Sequence, residues 1–381
     1  MGKRGTEAYR RVFDVLLENL PFRLFPLSFI LVLLFIFRCP IYSFPSFLQS
    51  AQGLRFRQRS NGGSLMARHI RGQASHKTGS AHQDTVEEAP EQRVQQQPKD
   101  PFPPQHQEKP GDEAELNPRP RYQAPLYKGA GKLSNKVALI TGGDSGIGRA
   151  VAVLYAREGA DMALLFLPEE LADAEETRDA VEAEGRAALL LPGDITDVNF
   201  CREAVQRTVS HFGKLDILVN NAAFQQHQAG LEQLTDEQWD HTFRTNIYGY
   251  YRMAKAALPH LKPGSAIINT GSVTGLEGSK QLLDYAATKG AIHAFTKSLA
   301  QNLVEKHIRV NCVAPGPVWT PLNPADRPAE KVVHFGADTP MKRPAQPEEI
   351  APAYVFFASE ADSSFITGEV LTLLGGETTA G

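Results

Sequence analysis

The sequence predicts an α/β fold, a doubly wound parallel sheet in a single domain behind a disordered N-terminal extension. Three observations carry that expectation. From Asn135 onward, apolar runs of strand length alternate with longer amphipathic stretches. Such alternation marks βα units and puts helices on both faces of a parallel sheet. The first unit holds a glycine cluster, Thr141-Gly142-Gly143-Asp144-Ser145-Gly146-Ile147-Gly148, between a strand-like run and a helix-like run. Ahead of Asn135 the composition differs in kind, first apolar and then polar. Right-handed crossovers wind such a sheet in both directions and bring ligands to the carboxyl ends of its strands.

Taken in order, residues 136–140 are a short apolar run of strand type, and 149–158 read as the helix that follows the glycines. A second strand is expected over 162–167, then a charged helix over 169–184 that Gly185 ends. The third strand, 187–191, closes at Pro192-Gly193-Asp194 and leads to a helix over 198–212. The fourth, 215–219, ends at Asn220-Asn221-Ala222-Ala223, and one long helix is expected from 235 to 258. Residues 266–270 form the fifth strand, 285–306 a helix and 308–313 the sixth strand. A helix over 347–358 and a strand over 370–373, before Gly375-Gly376, complete the pattern.

The chain has 381 residues, 42% hydrophobic and 22% charged, an ordinary globular composition. A formal net charge of −3 gives no reason to expect nucleic acid as a partner. Its three cysteines, Cys39, Cys201 and Cys312, have no metal-ligand spacing and are too few for a disulfide framework. No metal is therefore expected, and the folded part is expected to be cytoplasmic. Residues 1–59 are set apart by the uncharged apolar run 25–37, bounded by Arg23 and Arg38. That run is shorter than the roughly 20 residues a membrane-spanning helix needs. It reads as a signal anchor, as a cleaved targeting segment, or as a stretch absent from the natural product, with Met66 as an alternative start. Nothing downstream looks secreted, which favours the third, and a membrane is a partner only if the segment is a real anchor. Residues 60–125 are polar and crowded with Gln and Pro, a composition that buries too little surface to offset the entropy of ordering. They are expected to form a disordered arm, with an ordered lead-in over 122–133 and the domain proper over 126–381.

Two constellations carry chemistry. Glycines on a strand-to-helix turn let a pyrophosphate approach the backbone, where free N–H groups and the positive end of the helix dipole favour an anion. After the fifth strand comes Ser272, and further on Tyr285 with Lys289 four residues beyond it. Positions i and i+4 share one helix face. A free tyrosine has a pKa of roughly 10, and a nearby ammonium stabilises the phenolate. A serine hydroxyl beside it could hold a carbonyl oxygen, and the group would suit proton transfer at an alcohol oxygen while hydride moves elsewhere. A serine hydrolase is the rival class, since Gly271-Ser272-Val273-Thr274-Gly275 meets the Gly-x-Ser-x-Gly pattern. No His and acid pair is placed by the sequence, however, and that reading leaves the first glycine turn unexplained.

Residues from about 132 to the C-terminus resemble the short-chain dehydrogenase/reductase family, whose fold is Rossmann-type. The resemblance rests on residues 141–148, on Asn220-Asn221-Ala222-Ala223, on Ser272, on Tyr285-Ala286-Ala287-Thr288-Lys289 and on Pro315-Gly316-Pro317-Val318-Trp319-Thr320. Gly143-Asp144-Ser145, Leu283-Asp284 ahead of the tyrosine, Pro321, and residues 335–341 make it similar to the glucose/ribitol-dehydrogenase-like and NADPH-dependent aldehyde reductase branch. The resemblance implies Tyr285 as acid/base, Lys289 lowering its pKa and binding the nicotinamide ribose, Ser272 holding the carbonyl, and Asn246 completing a catalytic tetrad. It implies a cofactor site of Gly142, Asp144, Ser145, Gly146, Ile147, Gly148, Phe166, Asp194, Ile195, Asn220 and Ala222, with Pro315, Gly316, Val318 and Thr320 at the nicotinamide end beside Tyr285 and Lys289. One departure is Ala223, where the family usually has Gly.

Cofactor choice is expected at the end of the second strand, where an acid bonds the ribose of NAD and a nearby arginine favours NADP. Phe166-Leu167-Pro168 offers neither, so nothing repels the extra phosphate and the branch resemblance tips the expectation to NADP, with NAD as the alternative. The substrate is expected to be a small carbonyl or alcohol, an aldehyde or sugar, and the chain a homodimer or homotetramer. A non-catalytic dinucleotide-binding protein on the same fold is the competing reading.

Overall fold

The structure is a computed structural model and describes residues 96–378. The apolar run 25–37, Met66 and the first part of the polar arm lie outside the described residues. Seven strands form one parallel sheet in the order β3-β2-β1-β4-β5-β6-β7. In chain order the elements are β1 (Val137–Thr141), α1 (Gly146–Arg157), β2 (Asp161–Phe166), α2 (Leu171–Ala183), β3 (Ala188–Pro192) and α3 (Val198–Phe212), then β4 (Ile217–Asn220). They continue with α4 (Asp236–Phe243), α5 (Tyr250–Ala257), β5 (Ala266–Thr270), α6 (Leu283–Leu303), β6 (Arg309–Pro315), α7 (Pro347–Ala358) and β7 (Val370–Leu373). The alternation read in the sequence is therefore the fold, within a few residues at most ends.

The reason is burial on both sides. Every residue of β1, β4, β5 and β6 is buried, as expected for central strands covered by helices on two faces. One layer packs Val151, Leu154 and Tyr155 of α1 with Tyr354 and Phe357 of α7 against the sheet. The other packs Val205 of α3, Met253 and Ala257 of α5 and Ala300 and Leu303 of α6. Local signals set the ends: the Asp197 side chain accepts the Asn199 N–H at the start of α3, and Gly213 ends it at φ +79°. Strand order reverses between β1 and β4, and the open crevice of a doubly wound sheet lies at that switch point.

Two features differ from expectation. The long helix expected over 235–258 is interrupted by a π-helical turn, Arg244–Gly249, which separates α4 from α5. Such turns re-aim side chains inside a helix, and this one carries Asn246. The second difference is a correction to the disordered arm. From residue 96 the polar chain follows the domain surface as a strap. Phe102 and Leu116 are buried in it, and Phe102 stacks on Trp319 with ring centroids 4.4 Å apart. Backbone groups find partners too: Phe102 N–H donates to Val333 O at 2.8 Å, Gln107 N–H to Pro324 O at 3.2 Å and Ala124 N–H to the Glu348 carboxylate at 2.7 Å. Composition misleads here because a Pro-rich chain is already extended and loses little freedom on docking, and a few anchors then suffice.

The deepest anchor is Glu113. Its side chain is fully buried; it accepts the Gly146 N–H at 2.5 Å and pairs with Arg149 at 2.8 Å. Arg149, also fully buried, pairs with Asp173 at 2.6 Å, donates to Asp144 O and Thr177 Oγ1 at 2.9 Å each, and lies over the Tyr122 ring. Burial pushes the Glu113 carboxyl up to about 7 against the opposing pull of Arg149.

Candidate active site

Three chain segments deliver the chemistry to the carboxyl ends of β4 and β5. Helix α6 presents Tyr285 and Lys289 one turn apart. Lys289 is 1% exposed; its ammonium donates to Thr270 O at 2.7 Å and lies 5.2 Å from the Tyr285 ring centroid. Thr270 is the last residue of β5, so strand and helix fix the lysine together. Ser272, two residues on, is buried, and its Oγ accepts the Thr274 N–H at 3.2 Å and the Thr274 hydroxyl at 3.0 Å. Asn246 is fully buried in the π turn. Its amide accepts the Phe224 N–H at 2.8 Å and donates to Phe224 O at 2.9 Å and to Thr288 Oγ1 at 3.0 Å. The loop after β4 is thereby tied to α6.

The electrostatics of this group depart from the expectation drawn from the Tyr–Lys spacing. Burial dominates and holds the Tyr285 phenol above its ordinary value; Ser272 pulls it down and Asp326 pushes it up. Lys289 is not among the groups that move it. Burial brings Lys289 itself down to about 8. Held above its ordinary value, the phenol is protonated at neutral pH.

The glycine turn has the form an anion needs. Gly142 (φ +61°) and Gly146 (φ +50°) adopt left-handed backbone angles. A Cβ at Gly148 would stand 1.8 Å from Gly142 O, and one at Gly142 would meet Ala222 Cα at 3.0 Å. The turn is bare backbone pressed against the end of β4, which fits a pyrophosphate at the start of α1. The Gly146 N–H is already taken by Glu113, so Gly146 contributes shape, and its bare Cα faces Thr320; Ile147 and Gly148 carry the next N–H groups of the helix start. Asp144 is buried, and burial raises its carboxyl to about 6. Asn220 spends its amide on Asn269 at 2.9 Å, bracing β4 against β5. Asp194 caps its own turn, accepting from the N–H and hydroxyl of Thr196 at 2.7 Å each, with Ile195 buried behind it. Ser145 precedes α1. Pro315 ends β6, Gly316 N–H donates to Leu373 O, and Val318 pairs with Ala345. Phe166 is 3% exposed, part of the packed interior at the end of β2. Among the described residues no cluster of His, Cys, Asp or Glu could hold a metal ion.

Several residues at this site carried no sequence signal or an unused one. Asn221, inside the quoted motif, donates to Gly142 O at 3.0 Å and, with Ala222, sends its backbone N–H to Thr141 Oγ1. Glu170 folds back so that its carboxylate accepts the Leu167 N–H at 2.8 Å, placing an acid at the end of β2 that the window 166–168 does not contain. His227 and Asp326 meet from two loops without readable pattern, and Lys109 of the strap joins them.

A parallel sheet with a bare glycine turn at its switch point and a buried Ser–Tyr–Lys group beside it is an arrangement suited to dinucleotide-dependent oxidoreduction. A family profile described as enoyl-(acyl carrier protein) reductase matches residues 142–378. The chain is 48% identical over 281 residues to a glucose and ribitol dehydrogenase of Daucus carota, covering 72% of this chain and 96% of that one. It is 46% identical over 272 residues to NADPH-dependent aldehyde reductase 1, chloroplastic, of Arabidopsis thaliana, covering 70% and 94%. A short-chain dehydrogenase from Burkholderia cenocepacia, solved in complex with NADP, superposes with a TM-score of 0.60 at 34% identity, over 64% of this chain and 98% of its own. The chain belongs to the short-chain dehydrogenase/reductase family and is an oxidoreductase.

Proposed function

We propose that the protein interconverts an aldehyde or sugar carbonyl and the corresponding alcohol, using NADP or NAD. The observation that carries this reading is the convergence of Ser272, Tyr285 and Lys289 beside the glycine turn. Gly142, Gly146, Ile147 and Gly148 would hold the pyrophosphate, and Val318 and Thr320 the nicotinamide end. When bound, the nicotinamide ring supplies or takes up the hydride. The Ser272 hydroxyl holds the carbonyl oxygen. Tyr285, whose phenol stays protonated at neutral pH, gives its proton to that oxygen as the alcohol forms, and takes it back in the reverse direction. Lys289 would hold the nicotinamide ribose, and Asn246 would support a proton relay through water.

Burial of Phe166 and the raised carboxyl of Glu170, neutral below about pH 8, keep these two positions from opposing a ribose phosphate, which supports a modest preference for NADPH. Self-association as a homodimer or homotetramer fits the exposed Trp239 of α4, Tyr248 of the π turn and Tyr251 of α5. A cytoplasmic location fits the two buried free thiols, Cys201 and Cys312; among the described residues no helix is long and apolar enough to cross a membrane. The hydrolase reading is disfavoured because His293 accepts from the Ser272 backbone N–H, at 3.4 Å, and not from its hydroxyl. The test is the absorbance of NADPH and NADH with a panel of small aldehydes and sugars. Turnover supports the reading; none with either cofactor across the panel would leave a non-catalytic binding protein.

A further inference from the structure

His227 and Asp326 meet beside the reaction centre. His227 lies in the loop after β4, three residues past Phe224, whose N–H and carbonyl are both held by the Asn246 amide. The Gln228 N–H donates to Gln281 O at 2.8 Å, and the Gln238 amide bridges Gln226 O to the Asp284 carboxylate at 3.1 Å each. This loop is thus pinned against the residue that precedes Tyr285. Asp326 comes from the segment after β6. Its carboxylate accepts the backbone N–H of His227 at 2.8 Å and pairs with Nδ1 of the same ring. Lys109 of the strap pairs with it at 3.4 Å and lies 5.3 Å from the Phe224 ring centroid. The Asp326 side chain is fully buried, while that of His227 is 16% exposed. Among the described residues, Nε2 of His227 has no hydrogen-bond partner. A carboxylate on Nδ1 fixes the ring's orientation and tautomer and leaves Nε2 to be used. The Asp326 charge also reaches Tyr285 and helps hold the phenol protonated.

We propose that His227, oriented by Asp326, is a specificity-determining residue whose free ring nitrogen hydrogen-bonds a hydroxyl next to the reacting carbonyl. The pocket then selects hydroxylated aldehydes over apolar aldehydes of the same length. A site built to bond a hydroxyl leaves a polar atom unpaired when the hydroxyl is missing, and discriminates strongly for that reason. The proposal rests on the carbonyl–alcohol reading above. Asp326 acts through His227 and is a positioning residue.

The test uses the full chain and two aldehydes, glyceraldehyde and propanal. With NADPH, kcat/KM is measured for wild type, His227→Leu and His227→Gln, and the NADPH Kd is read separately by fluorescence. With NADP+, which permits no reduction, histidine ring signals of isotope-labelled wild-type protein are followed by NMR as each aldehyde is added. The His227 signals are assigned by their absence from either variant. The expected result is a proton on Nδ1 and a shift of the His227 signals with glyceraldehyde but not propanal. His227→Leu lowers the glyceraldehyde-to-propanal ratio by about tenfold or more, His227→Gln lowers it less, and the NADPH Kd holds. An unchanged ratio in folded His227→Leu, or ring signals that ignore glyceraldehyde or answer propanal equally, would overturn the proposal. Signals that move in a wild type turning over neither aldehyde would support the contact and sink the carbonyl-reductase reading instead.

Discussion

At the scale of single residues, the raised carboxyl of Glu170 makes the sharpest electrostatic prediction. Burial, reinforced by the neighbouring charge of Asp144, raises it to about 8, so its neutral form prevails below that pH and the carboxylate above it. The end of β2 is where a doubly wound sheet reads the adenine ribose, and a carboxylate there repels a phosphate. The NADPH-to-NADH ratio of kcat/KM should therefore fall as pH rises through 8. In Glu170→Gln it should stay flat. A wild-type ratio that does not change with pH, or a variant that tracks it, contradicts the assignment. Phe166→Asp, the substitution that strand position alone would recommend, is the poorer probe, since Phe166 is buried at 3% exposure and a carboxylate there enters the packed interior. Residue-level legibility was uneven for physical reasons. Tyr285 and Lys289 were readable because helix geometry fixes their relation. Glu170 was not, because its role depends on the chain doubling back by three residues. The electrostatics of Tyr285 were not readable, because burial, invisible in sequence, is the largest influence on its phenol.

At the scale of elements, the strap is the part composition hid. Glu113 touches Gly146 across 33 residues of sequence, and no local period announces such a contact. Its carboxylate is, with that of Asp173, one of the buried partners of Arg149, so Glu113→Ala removes one ion-pair partner and leaves the Gly146 N–H without its acceptor. The expected loss is about 1–3 kcal/mol, read as a lower urea midpoint at unchanged slope. A truncation beginning at Met66 keeps the strap and should fold and turn over like the full chain, whereas one beginning at Arg119 should be markedly less stable. Equal stability of the two truncations would show the strap to be an ornament of the surface. The π turn is the other element the sequence pattern passed over. Amphipathic periodicity continues through Arg244–Gly249, so one helix was the natural reading, yet the turn holds Asn246 where its amide reaches Phe224 and Thr288.

At the scale of the whole molecule, one topological fact organises the site: the order β3-β2-β1-β4-β5-β6-β7 sets the glycine turn after β1 beside the ends of β4 and β5. Alternating strand and helix patterns made this legible, because a covered parallel sheet demands continuous apolar strands. The loops that shape the pocket were not legible, since they answer to a substrate and not to a core. The exposed aromatics of α4, the π turn and α5 predict a dimer or tetramer by light scattering, and Tyr251→Lys should shift the distribution toward monomer; an unaffected assembly would place the interface elsewhere.

In the proposed reaction a protonated Tyr285 delivers the proton of a carbonyl reduction. Tyr285→Phe keeps the ring and its packing and removes that proton. With NADPH and an aldehyde that the wild type reduces, kcat should fall by about 10²-fold or more, while the NADPH Kd and the unfolding midpoint stay close to wild type. Wild-type kcat in the phenylalanine variant would contradict the claim.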